Sequence, residues 1–181
     1  MKIFIISIFT FLTGLFAYFY FYLGFSKEVI NQGIVEDKFY VLGTSHVGPY
    51  HKINALITEV ETWTKENNIP CPLTFGLFLD DPKISEENRL RSEVGCLTKT
   101  PVYESYTEKS TKYFVKQLPN KRFLKFSFSG SPAISPFVVY PKAEEWFQKT
   151  NYKQDKFVLE VYEQFGNSLT THYYFPIEEA N

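Results

Sequence analysis

The stretch VETWTKENNIPCPLTFGLFLDDP (Val60–Pro82) holds a helix end, a breaker-rich loop, a strand and a turn. Ile53, Leu56, Ile57, Val60 and Trp63 stand at helical spacing, which predicts a helix over residues 51–68 with one buried face. Asn67-Asn68, then Pro70 and Pro72, stop it. LTFGLFL (Leu73–Leu79) follows as a strand. Asp80-Asp81-Pro82 reads as a turn, because Asp side chains bond local backbone and Pro fixes φ. Upstream, KFYVLGTSHVGPY (Lys38–Tyr50) begins as a strand and breaks at Gly48-Pro49. Downstream, Ser92–Thr98 reads as another strand.

The same order recurs in the second half. FLKFSFSG (Phe123–Gly130) alternates as a strand does, and Ser131-Pro132 turns into a helix over residues 135–150. FVLEVYEQF (Phe157–Phe165) and THYYFPI (Thr171–Ile177) are the closing strands. Trp63 stands 12 residues before Phe75, and Trp146 stands 12 before Val158. The expected fold is therefore α+β: two duplicated strand-helix-strand-strand units in one antiparallel-rich sheet, with two helices and a pocket at the pseudo-twofold junction. The units take residues 38–98 and 121–178. Residues 99–120 link them, with strand propensity in YFVKQL (Tyr113–Leu118).

Composition narrows the function. With 181 residues, one domain of ordinary size fits. Lys and Arg number 19 against 20 Asp and Glu, a net charge of −1, which argues against nucleic acid as a partner. Hydrophobic residues at 44% and charged residues at 22% exclude a disordered chain. Aromatic residues are unevenly placed, with seven Phe and three Tyr inside residues 3–25.

Those 23 residues, IFIISIFTFLTGLFAYFYFYLGF, carry no charge and lie between Lys2 and Lys27. About 20 apolar residues cross the hydrocarbon core as a helix. A cleaved signal peptide would have a shorter apolar core ending in small residues. The bulky end AYFYFYLGF favours a retained, single-pass transmembrane anchor over residues 1–25, with a polar connector over 26–37. Tyr18, Tyr20 and Tyr22 suit a membrane interface. The few flanking lysines leave the side of the membrane undecided.

Four motifs in order carry a resemblance. They are Gly48 with Tyr50; Gly76, Asp80 and Pro82; Arg91, Val94 and Gly95; and Glu160 with Tyr162. Together they resemble the GyrI-like domains, also called effector-binding or SOUL-related small-molecule-binding domains, over residues 38–178. The anchor combined with DDPKISEENRLRSEVGC (Asp80–Cys96) is similar to the membrane-anchored branch, which includes an animal ER-phagy receptor. That receptor acts through a long disordered tail. This sequence ends at Asn181, just after its last strand, so the resemblance carries over no receptor role. In the second half, Ser129-Gly130-Ser131-Pro132 replaces the family's glycine-tyrosine pair.

In Phe157–Phe165, Phe157, Leu159 and Val161 point to one sheet face; Val158, Glu160 and Tyr162 point to the other. If helices cover the first face, Glu160 lies on the opposite, concave face beside Tyr162. A carboxylate among aromatics is costly unless paired, and suits a cation held partly by ring faces. The resemblance implies that role for Glu160, with Tyr162, Tyr50 and Leu77 as ligand-binding walls. A surface glutamate paired with lysine is the plain alternative. Tyr50 reads equally well as a cap on the following helix.

The leading function is non-enzymatic binding of a small cationic or aromatic ligand. A hydrolase of reactive small molecules using Glu160 and a membrane-tethered module with a protein partner stay open. No cofactor is expected. Some relatives are hydrolases that pair a tryptophan with the glutamate, but Trp63 and Trp146 read as core residues of their helices. Asp80 and Asp81 lack further oxygen ligands nearby for a metal. His46, His51 and His172 come without a nucleophile motif, so no triad is supported. Cys71 and Cys96 read as free buried thiols, with a disulfide as the alternative. Lys109–Lys121 reads as a solvated linker face rather than a lipid-contacting one.

Overall fold

The computed structural model describes residues 2–106, 110–166 and 168–179. Helix α1 (Lys2–Leu23) comes first, and none of its apolar span Phe4–Tyr22 is buried. By length and composition this span is sufficient to cross a membrane. Gly24 ends α1 at φ +89°, and the Phe25 N–H bonds the Tyr20 carbonyl five residues back. That is the usual closure of a helix by a left-handed glycine.

Nine strands and two further helices follow among the described residues. They are β1 (Ile30–Asp37), β2 (Tyr40–Val47), α2 (Ile53–Glu66), β3 (Leu73–Phe78), β4 (Arg91–Thr98), β5 (Phe114–Gln117) and β6 (Lys121–Phe128). Then come α3 (Ser135–Gln148), β7 (Tyr152–Gln154), β8 (Val158–Phe165) and β9 (Ser168–Glu179). All strand pairs are antiparallel, in the order β1-β6-β9-β8-β3-β4-β2-β5, with β7 on β9. The two repeated units meet at β3 and β8, where Gly76 pairs with Glu160.

Residues 26–37, read as a connector, hold β1. It pairs with β6, about 90 residues away, so its partner is invisible locally. Likewise the linker 99–120 holds a 3-10 turn (Val102–Tyr106) and β5, which pairs with β2. Each half thus lends its leading strand to the other half. Strand β7 was not expected from the sequence either.

Both sheet faces are apolar, and only one carries helices. Helix α2 buries Ile53, Ile57, Val60 and Thr64 against the sheet; α3 buries Ser135, Val139 and Ala143. The other face folds over itself: Phe39, between β1 and β2, lies 5.0 Å from the Tyr174 ring and 6.0 Å from that of Phe123. Phe75, Leu77, Leu97, Leu159 and Val161 complete this helix-free core. The expected face assignment is therefore reversed. Leu159 and Val161 sit in the helix-free core, and α2 and α3 cover the face of Val158, Glu160 and Tyr162. Alternation along β8 separates the two sets but cannot say which receives helices when both faces are dry.

Candidate functional site

Between α2, α3 and the β3–β8 junction lies a cavity of about 1270 Å³. Its walls are Ile53, Ile57 and Thr58 from α2, and Phe137, Tyr140 and Ala143 from α3. Thr74, Phe78, Val158, Glu160 and Tyr162 form the floor.

Glu160 is 6% exposed. Tyr162 donates its hydroxyl to Glu160 Oε2 at 2.9 Å, and the Tyr140 hydroxyl also hydrogen-bonds the carboxyl. Among the described residues no Lys, Arg or His pairs with it. Burial pushes its pKa up to about 7, against the two phenols, which favour the ionised form. Burial beside this carboxyl holds the Tyr140 and Tyr162 hydroxyls well above the usual phenol range. Gly76 leaves room for this arrangement: a Cβ there would stand 3.3 Å from the Tyr162 hydroxyl and 3.0 Å from the Phe78 ring.

Tyr50 closes one end and caps no helix: neither the 3-10 turn it begins nor α2 has a side-chain hydrogen bond at its start. Tyr50 lines the cavity and ties two loops together. Its hydroxyl donates to the Asp80 carbonyl at 2.8 Å and accepts from the Asp80 N–H at 3.1 Å. Asp80 in turn holds Arg91 by two guanidinium bonds, 2.7 and 3.0 Å, and by the Arg91 N–H at 2.8 Å. Arg91 keeps the Asp80 carboxyl below the ordinary range. The spaced Gly-x-Tyr, Asp-x-Pro and Arg motifs are thus one physical tie at the cavity end.

Leu77 requires correction. It lies in the helix-free core and does not line the cavity, because the next residue, Phe78, occupies the helix-side face of β3. Tyr140 and Phe78 were missed. Tyr140 follows the buried Val139 in α3, and its position over Glu160 depends on how the helix crosses the sheet. Neither tryptophan reaches Glu160. Trp63 packs on Tyr113 at 4.5 Å, and Trp146 stacks on Tyr152 at 5.6 Å.

Other residues singled out in the sequence have definite partners. Cys71 and Cys96 form a disulfide between the pre-β3 loop and β4, not free thiols. Lys112 pairs with Glu59, Lys116 with Glu93 and Lys121 with Asp155. Lys109 lies outside the described residues. His172 has partners that no motif announces: Ser127 Oγ lies 2.7 Å from its Nδ1, and Glu163 Oε2 lies 2.9 Å from its Nε2. Ser127 is buried on the helix-free face while Glu163 is exposed, so this chain ties β6, β9 and β8 together outside the cavity. Among the described residues no group of three His, Cys, Asp or Glu could hold a metal.

Solved structures share the fold. The crystal structure of the EcmrR C-terminal domain aligns with TM-score 0.58 at 16% identity, covering 84% of this chain and 98% of that one. The cryo-EM structure of an EcmrR–DNA complex aligns with TM-score 0.58 at 14% identity, covering 98% and 70%. An integron cassette protein from the mobile metagenome of Vibrio cholerae gives 0.50 at 12% identity, covering 84% and 100%. No curated protein matches the sequence. Residues 35–178 match the GyrI-like small molecule binding domain, and the chain belongs to that family.

Proposed function

We propose that this is a single-pass, membrane-anchored protein that binds a small aromatic cation in the cavity between α2 and α3. One observation carries the reading: a buried carboxyl, held by two phenols and without a basic partner among the described residues, stands inside a large cavity. A buried carboxylate is costly alone and much less so beside a positive charge. The rings of Tyr140, Tyr162 and Phe78 offer faces to the same cation. The hollow interior supports a ligand rather than a packed interaction module. The apolar, exposed helix α1 supports the anchor. A pKa near 7 also suits a general base, which keeps the hydrolase reading as the second one. The distance of both tryptophans from Glu160 counts against it.

The test is thermal unfolding of the full chain in non-ionic detergent with benzyltrimethylammonium and its neutral carbon isostere, neopentylbenzene. Stabilisation by mass action should appear with the cation, be weaker with the isostere, and be lost in Glu160→Gln. Equal shifts from both compounds, unchanged in Glu160→Gln, would reject the charged site. Release of product from ester substrates that stops in Glu160→Gln would move the assignment to the hydrolase.

A further inference from the structure

Only residues 24–29 separate α1 from β1. A Cβ on Gly24 would stand 3.4 Å from the Gly130 Cα, so the end of α1 abuts the loop between β6 and α3. That loop leads directly into the cavity wall, through Pro132, Ala133 and Phe137. Phe137 is 74% exposed although it lines the cavity. At the same end of the sheet, Phe165 closes β8 and is 86% exposed, next to the cavity-lining Gln164. Ile30 begins β1 here and is exposed as well. Lys27, just after α1, borders a second, smaller cleft of about 580 Å³ that continues along α3 away from this end.

We propose that this end of the domain rests in the headgroup layer of the bilayer, with Phe137 and Phe165 inserted, so that one mouth of the cavity opens onto the membrane. This rests on the membrane-anchor reading of α1. A bilayer with a hydrocarbon core of about 30 Å adds only about 5–7 Å of headgroup region on each side. An abutting domain therefore has its α1 end within that layer. Exposed phenylalanines suit its inner boundary, and Lys27, beside Gly24, suits its phosphates. A second copy or another protein on this face would have to displace the bilayer that α1 brings to it. A ligand that partitions into the interface would then meet the cavity at a raised local concentration.

The experiment uses the full chain, reconstituted in phosphatidylcholine vesicles, with the environment-sensitive fluorophore NBD on single introduced cysteines. Phe137→Cys and Phe165→Cys report on the docked end. Ile84→Cys, exposed on the loop after Asp80-Asp81, reports on the opposite end of the cavity, and Phe16→Cys on the anchor. Nitroxide-labelled lipids should quench positions 137 and 165 several-fold and leave 84 unquenched. Quenching at 16 but not at 137 and 165 overturns the docked face while the anchor stands. Equal quenching at 84, 137 and 165 also overturns it. No quenching at 16 removes the anchor and this proposal with it.

Discussion

Glu160→Gln is expected to leave stability nearly unchanged at about pH 4.5 and to raise it at about pH 8. The carboxyl starts from 4.5 and is pushed to about 7 in the folded protein. Between those values the folded state holds a proton that the unfolded state has lost. Stability therefore falls as pH rises through that window and is level above it. At about 1.4 kcal/mol per pH unit, the window is worth about 3 kcal/mol. Glutamine mimics the protonated carboxyl and keeps an oxygen for the phenols of Tyr162 and Tyr140, so the variant should lack this fall. The assay is equilibrium urea unfolding of both proteins in non-ionic detergent across the range. Acids held below their ordinary range, such as Asp80 and Asp155, act alike in both proteins and cancel in the difference. A difference that grows by about 3 kcal/mol from acid to alkaline pH supports a buried, cation-free carboxyl. A flat difference refutes it, and means that Glu160 ionises as a solvated group or beside an internal cation.

Two further outcomes follow from the packing. Gly95→Ala should destabilise the domain by about 2 kcal/mol or more, read by thermal unfolding, because Gly95 sits at φ +151° and a Cβ would fall 2.2 Å from the Leu42 carbonyl oxygen. Reducing the Cys71–Cys96 disulfide, which closes a loop of 25 residues, should cost about 3 kcal/mol, read as a lower urea midpoint with dithiothreitol than without. No change in midpoint would mean that the cysteines are not bonded in solution.

The helices and inner strands were legible because their signals are local. Helical spacing in Ile53–Trp63 marks α2, and breakers at Pro70 and Pro72 mark the start of β3. Strands β1 and β5 were not legible for the opposite reason. INQGIVED has three residues facing partly inward and none fully buried, and it becomes a strand only because β6 offers a free edge. The four-residue β5 depends on β2 in the same way. Glu160 could be singled out as a charge inside an apolar strand. Tyr140 could not, since its approach to Glu160 is set by helix-to-sheet packing. The disulfide needed the loop and β4 to be placed in space before one alternative could be chosen.

The error at Leu77 has a physical cause that bears on the ligand. Leu77 stands fourteen residues after Trp63, as Glu160 does after Trp146, so the repeat spacing makes them counterparts. Yet Leu77 faces the helix-free core and Glu160 faces the helices. The two halves thus differ by one residue between tryptophan and strand, and a slip of one flips every side chain to the other face. Phe78 therefore takes the helix-side position in the first half. One half supplies a ring to the cavity floor and the other supplies the carboxylate. A symmetric site would have carried two acids, whose mutual repulsion would keep one protonated, or two rings with no charge at all. With one of each, a ligand of the proposed kind would set its apolar body toward Phe78 and its charge toward Glu160, and the pseudo-twofold cavity would hold it in one orientation.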